Sequence, residues 1–483
     1  MKRLATLSYG SVFVLSVSCA TSPPPAPRIP FDLPHDWSGE IADRPLGPTS
    51  DTWWHQFDDP ALDGLIAEAL ERSPTLGAAA ARLEAAAARA RIAGADRKLT
   101  IQGGLSSRRG RQNFIGLPIP GTEGEVLTNT STTQGLNLDI AWEVDLWGRL
   151  SAGGQAALAR AEAAEADLAA VRLSLIGQVA KSWFARAEAL AQVALGEVTL
   201  ANRTRARAQT EGRYRRGLLT AVDLRLALTN EANAQEQLIA RRQDADRANR
   251  RLEILLARYP GGGSITDDVG LPQPPTAVAL GQPAELVTRR PDLIAAELRL
   301  AASGLDVQAA RAALYPQLRL TGSLGRSSVD IEDLIDSDFS VWSLAAGLLQ
   351  PIFQGGRLRA AVDASEATRI EAAESYINAA LTAFSDVESA LATEAFIAAR
   401  LDRLNTATSQ SGSARDLAEE RYRSGLTGYL TVLEAERQWT LNQRLLLLLR
   451  RQQLEARVDL HLALGGGYAT DPAPADDTPK ETS

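Results

Sequence analysis

Few residues of this 483-residue chain can do covalent chemistry, and they are not grouped. There is one cysteine, Cys19, and there are three histidines, His35, His55 and His461. A single thiol allows no intrachain disulfide and no cysteine-based zinc site. The three imidazoles are scattered and form no spaced ligand motif. Gly-x-Ser-x-Gly, a phosphate-binding loop and His-Glu-x-x-His are missing, and Gly261-Gly262-Gly263-Ser264 precedes no Lys-Thr pair. The expectation is a chain that is not an enzyme and takes no cofactor. With 59 acidic against 51 basic residues the charge is −8, which argues against nucleic acid as a partner. Two features remain: the lone thiol, and the carboxylates Asp223 and Glu434, each in the first turns of an expected helix.

The elements around Cys19 give it a role. Met1-Lys2-Arg3 is a short basic start, and Leu4 to Ser18 is mostly apolar and small. That run is too short to span a bilayer but fits an export signal. It ends in Leu15-Ser16-Val17-Ser18-Cys19, which resembles a bacterial lipobox, where a small residue precedes a lipidated Cys. Ser16 departs from the apolar residue usual in that pattern, and an ordinary signal with an incidental Cys is the alternative. Ser22-Pro23-Pro24-Pro25-Ala26-Pro27 then reads as an extended tether. Several acyl chains on Cys19 would anchor the mature chain stably.

The rest of the chain is written twice. Arg213-Tyr214-Arg215-Arg216-Gly217-Leu218-Leu219 matches Arg421-Tyr422-Arg423-Ser424-Gly425-Leu426-Thr427 at an offset of 208. Ser73-Pro74 through Arg82-Leu83 matches Arg290-Pro291 through Arg299-Leu300 at an offset of 217. Each half predicts a broken Ala-rich helix, two strands, one long helix, a turn at Arg-Tyr-x-x-Gly-Leu and a returning helix. Gly148–Arg216 and Gly356–Ser424 each run 69 residues without proline. As helices they would reach roughly 100 Å, far beyond the ordinary 11–12 residues. An apolar content of 45% with only 5% aromatics, much of the rest alanine, suits long helices packed closely.

The strands are expected at about 98–107, 132–146, 317–325 and 339–351. In the second, Leu136, Leu138, Ile140, Trp142 and Val144 face one way and Asn137, Asp139, Ala141 and Glu143 the other. Apolar-out, polar-in alternation over some ten residues marks a membrane β-barrel strand. A soluble hairpin packed on helices would show the same pattern. Four strands cannot close a barrel, which needs about eight at least, so copies must share one.

Several segments then resemble the TolC-like outer-membrane efflux factors. They are Trp53-Trp54-His55-Gln56-Phe57-Asp58-Asp59-Pro60, Trp142-Glu143-Val144-Asp145-Leu146-Trp147-Gly148-Arg149, Ala313-Leu314-Tyr315-Pro316 and Pro351-Ile352-Phe353-Gln354-Gly355-Gly356-Arg357-Leu358. The likeness covers about residues 31–467, and the lipobox places the chain nearest the NodT/OprM-type lipoprotein branch. The resemblance implies an α+β membrane protein and a homotrimer, with a twelve-stranded outer-membrane β-barrel on a twelve-helix periplasmic α-barrel. The expected division is a signal peptide (1–18), an anchor, tether and N-terminal equatorial segment (19–60), a first repeat (61–260), an inter-repeat linker (261–283), a second repeat (284–467) and an acidic tail (468–483).

The resemblance also implies site residues. The closed end lies at the two helix–turn–helix tips, Gly217, Leu218, Leu219 and Thr220 on one and Gly425, Leu426, Thr427 and Gly428 on the other. These would receive a periplasmic adaptor. Asp223 and Tyr422 match family gate residues, whereas the family's gate arginine falls on Thr427, leaving Arg421 or Arg213 as substitutes. The two acidic rings fall on Thr431 and Glu434, so one ring stays acidic. Ordinary helix-dipole carboxylates are the alternative reading of Asp223 and Glu434. The implied function is a passive exit duct serving an adaptor and an inner-membrane resistance-nodulation-division pump, held in outer-membrane lipid. Metal-ion efflux, protein secretion and, in another class, a lipid-anchored periplasmic coiled-coil scaffold stand as alternatives.

Overall fold

The computed structural model describes residues 37, 52–114, 126–262, 270–275, 280, 283 and 286–466. Cys19, the signal, the tether and the tail 468–483 lie outside the described residues.

The first helices follow local rules. α1 (Pro60–Arg72) starts with proline at its first position, where no backbone donor is needed, and Asp59 caps it by accepting from the Ala61 and Leu62 amides at 3.0 and 3.1 Å. α2 (Pro74–Ala95) restarts at Pro74. The second repeat copies this break with α5 (Leu286–Arg289) and α6 (Pro291–Ala312). The long helices are α3 (Arg149–Arg215) and α7 (Arg357–Arg423), 67 residues each, or about 100 Å. Both start after a left-handed glycine, Gly148 at φ 74° and Gly356 at φ 85°. Asp145 holds the first turn of α3 by accepting from the Leu150 and Ser151 amides at 3.0 and 2.7 Å. The returning helices are α4 (Ala221–Leu255) and α8 (Tyr429–Ala463). α3 packs on α2, α4, α6 and α8, and α7 on α6 and α8.

The largest core sits halfway along α3, not at either end. Trp53, Phe57, Leu62, Ile66, Val179, Trp183, Phe184, Leu252 and Val458 are buried together there. Trp183 Nε1 donates to Asp59 Oδ2 at 2.7 Å, so one carboxylate both caps α1 and ties it to α3. His461 is fully buried and stacks on Trp53 at 4.9 Å. Burial, with Arg457 nearby, pushes its pKa down to about 3, so it is neutral at any physiological pH. A second cluster (Leu286, Leu293, Ala383, Val387, Leu391 and Leu460) does the same for α7. Elsewhere small side chains, among them Ala152, Ala156, Ala159, Ala163 and Ala166 of α3, let helices approach closely. No described helix is long and apolar enough to cross a membrane.

The four strands form one antiparallel sheet in chain order, β1 (Thr100–Phe114), β2 (Leu127–Val144), β3 (Gln317–Ser328) and β4 (Ser340–Leu349). Directly opposed residues share a face, and one face carries the rows Leu105–Leu136 and Leu138–Leu324–Trp342. Leu105 is 70% exposed and Trp342 and Leu344 are each 79% exposed, so this apolar face is uncovered in the single chain. The other face is polar, with Ser323 Oγ donating to Asp139 at 2.7 Å and Arg149 paired with Glu143 at 2.6 Å.

The β1–β2 hairpin runs beyond the expected strand ends near 107 and 132, and Thr128 and Thr130 are β-branched polar residues in the added stretch of β2. A hydrophobic pattern carries no sign of strand that has left hydrocarbon. β3 likewise runs to Ser328 instead of 325. β4 stops at Leu349, short of the expected 351, and Pro351 offers no ladder donor.

Gly325 packs its backbone against β2: a Cβ there would lie 2.3 Å from the Leu136 carbonyl oxygen. Gly325→Ala is expected to break the β2–β3 pairing. Loss of the heat-shifted gel mobility typical of folded barrels would register it; a wild-type shift would contradict it.

Candidate functional site

The two ends where long helices reverse are built alike. Gly217 and Gly425 both have φ 74°, the left-handed conformation that glycine tolerates. Leu218 N donates to Arg213 O at 3.0 Å and Leu426 N to Arg421 O at 2.8 Å, closing the same C-terminal cap on α3 and α7. Leu218 and Leu426, at 67% and 69% exposure, point away from the bundle.

The restarts differ. Thr220 and Asp223 form a reciprocal capping box: Asp223 Oδ2 accepts from the Thr220 amide at 2.9 Å and hydroxyl at 2.7 Å, and Thr220 Oγ1 accepts from the Asp223 amide at 3.3 Å. These bonds hold the Asp223 carboxyl below the ordinary range. Gly428, at the matching position before α8, has no side chain to cap with. Thr427 Oγ1 donates instead to Thr431 Oγ1 at 3.2 Å. The cap of one hairpin is secured by side chains and that of the other is not.

Between the hairpins lies a polar and aromatic cluster. The Arg213 guanidinium lies 4.7 Å over the Tyr422 ring, and Tyr422 lies 5.5 Å from Tyr429. The Tyr422 hydroxyl is buried with no hydrogen-bond partner among the described residues. One level higher, Arg203 of α3 pairs with Glu436 of α8 at 2.5 Å, with side chains 11% and 18% exposed. Burial outweighs Arg203 and pushes the Glu436 carboxyl up; it also pushes the Tyr429 phenol up. Arg207 bridges Glu211 and Glu231 at 2.8 and 2.9 Å, binding α3 to α4.

The structure therefore brings Tyr422 to Arg213 and not to Asp223, whose carboxylate is committed to its own cap. Glu434 is exposed at the N-terminal end of α8, and Arg437 donates to both its oxygens at 2.9 and 2.6 Å, holding its carboxyl low. Arg203, Glu436 and Tyr429 escaped the sequence reading, since no local spacing links an Arg of one long helix to a Glu on another. Among the described residues no group of three or more His, Cys, Asp or Glu is placed to hold a metal.

Comparison with known proteins decides what carries these tips. Residues 65–258 and 283–466 match the family model described as outer membrane efflux protein. The chain belongs to the outer membrane efflux protein family. It is 34% identical over 459 residues to the pyoverdine export outer membrane protein OpmQ of Pseudomonas putida, covering 94% of this chain and 96% of that one. It is 27% identical over 475 residues to the probable outer membrane lipoprotein SilC of Salmonella typhimurium, covering 97% of this chain and 100% of that one. Among solved structures, the outer-membrane channel OprN superposes with a TM-score of 0.82 at 29% identity, covering 91% of this chain and 98% of that one. As a family member, the chain is an outer-membrane channel protein and not an enzyme.

The Arg203–Glu436 pair generates an asymmetric prediction. Arg203→Ala leaves a carboxylate that burial already disfavours. It should cost roughly 2–3 kcal/mol near pH 7, less than the 3–5 of a fully buried pair. Glu436→Gln should cost less than half as much. A raised carboxyl pKa means that protonated Glu436 suits the fold: its contribution is full in acid and is lost as pH rises through the folded value. The Arg203→Ala loss should therefore shrink as the pH is lowered. Thermal melts across a series of falling pH values check this, and equal losses for the two variants would contradict it.

Proposed function

We propose that the chain is the exit duct of a tripartite efflux system. Three copies share one barrel in the outer membrane and one helical tunnel through the periplasm. The observation that carries this reading is the sheet: four strands with an uncovered apolar face and two open edges, joined directly to helices of about 100 Å. An open edge is not tolerated in hydrocarbon, so copies must close it. Export by the similar OpmQ and the channel nature of the similar OprN support the same direction of use. The partners are a periplasmic adaptor at the tips Gly217–Thr220 and Gly425–Gly428, and an inner-membrane pump of the resistance-nodulation-division type. Cys19 is the lipid attachment point, as in the NodT/OprM branch, in keeping with the lipoprotein nature printed for SilC.

The closed state is held at the tips. Arg213 against Tyr422 and Arg203 against Glu436 link the α3–α4 hairpin to the α7–α8 hairpin, and the Thr220–Asp223 cap keeps the first hairpin rigid. Opening is then a shift of hairpin packing, driven by a partner that binds the open arrangement better. Thr431 and Glu434 narrow the entrance, and the Arg437 partner offsets much of the charge of Glu434.

Single-channel recording in planar bilayers tests the duct and its gate together. Wild type should conduct poorly, and Arg213→Ala or Tyr422→Ala should raise conductance several-fold. Tyr422→Phe, which keeps the ring under Arg213, should stay near wild type. Unchanged conductance in the Arg213→Ala, Tyr422→Ala double variant would remove the gate assignment, and a non-conducting, water-soluble mature chain would sink the duct. Cys19→Ser should abolish incorporation of labelled palmitate; persistent labelling would refute the anchor.

A further inference from the structure

The trimer proposed above requires β4 of one copy to pair with β1 of the next, and the structure limits how. Leu105, Leu136, Arg326 and Ser340 stand directly opposite one another across the sheet, so all four share the outward face. Ser340 must then meet an outward, odd-numbered residue of the next β1. The 10 residues of β4 fit wholly within the 15 of β1 only when Ser340 stands opposite a position from 109 to 114. Arg109, Arg111 and Asn113 are the candidates.

Tilt narrows them. Ser340 is level with Leu105 of its own chain, so the three choices stagger successive copies by four, six or eight residues. With about 3.3 Å per residue and about 4.8 Å between strands, these staggers over four strands give tilts of roughly 35°, 46° and 54°. Barrel strands tilt by about 35–45°, which removes Asn113.

We propose that Ser340 of one copy lies opposite Arg109 of the next, with Asp338 set against the next copy's Arg111. This register places Leu344 on Leu105 and Leu348 on Ile101, apolar against apolar, and ends Leu349 flush with Thr100. The six-residue stagger instead sets Leu344 on Ser107 and Leu348 on Gly103, and puts Pro351, which has no N–H, opposite Thr100. Charge agrees with the first arrangement. β1 carries Arg108, Arg109 and Arg111, none in an ion pair among the described residues, and Arg111 donates only to Thr128 Oγ1 at 3.4 Å. The segment joining β3 to β4 carries Asp330, Glu332, Asp333, Asp336 and Asp338 and no basic residue. Of these, Asp333 takes the Ser328 hydroxyl and Asp336 caps the turn at Asp338, whose own carboxylate is exposed. Asp338 lies in the single turn Ser337–Phe339 just ahead of β4, and opposite charges brought together at the seam attract. The seam thus joins a basic strand end to an acidic connection on the next copy, just beyond the apolar band.

The test uses the full-length chain in detergent, with single-cysteine variants as background. Oxidised Ser340→Cys, Arg109→Cys should run as covalent trimer on a denaturing gel, whereas Ser340→Cys, Arg111→Cys should not. Cross-linking of the second pair alone, or of neither in a protein that is trimeric on a native gel, overturns the register. A monomer on the native gel overturns the trimer reading itself. Arg111→Asp should lower the melting temperature of the trimer, and adding Asp338→Arg should restore it. If it is not restored, and the loss appears only in membranes whose outer-leaflet glycolipid keeps its phosphates, the arginines serve lipid headgroups and the seam is wrong.

Discussion

An open sheet edge in hydrocarbon is the constraint on which the rest of this structure depends. Each unmet backbone N–H or C=O there costs several kcal/mol, and no water is present to relieve it. The chain has four strands and two such edges, so its stable form must be an assembly. Much else follows from that shortage of strands. The duplicated sequence gives each copy two long helices and two returning ones. The alanines that look wasteful in a monomer are wall material for close helix contacts. The core gathers at mid-height, where Trp53, Trp183 and Phe184 fix α1, α3 and α8 to one another and leave the ends free for other tasks.

At the tips the same economy produces an asymmetry. Both hairpins reverse through the same left-handed glycine cap, yet only the first restarts with a side-chain cap. The second is held instead by what it touches across the hairpins, a cation over a ring and a buried ion pair. Such contacts are replaceable: a ligand that favours the other arrangement would shift the balance without breaking a helix.

How much of this was legible in sequence depended on range. Periodicity and proline-free length gave the long helices to within a residue or so, because those signals are local. The repeat gave the order of elements, and alternation showed the barrel strands wherever hydrocarbon imposes it. Above the apolar band alternation has nothing to act on, which is why residues 127–131 carry no strand signal in the sequence. The glycine reversals at Gly217 and Gly425 are legible in the repeated motif, whereas the Thr220–Asp223 capping box is seen only in the structure. The Arg203–Glu436 contact is not legible there, and Arg213 entered only as one of two substitutes for the gate arginine, because these contacts join helices more than two hundred residues apart in sequence and only packing brings them together. The resemblance marks Asp223 and Tyr422 as gate residues, and the structure shows the Asp223 carboxylate bonded to its own cap residue, Thr220.

The claim that copies share one barrel is tested most directly by the native mass of the mature protein, released from detergent in a mass spectrometer. The account predicts a single species at three times the protomer mass, with its lipid attached. A folded monomer whose sheet keeps its four strands unpartnered would contradict it.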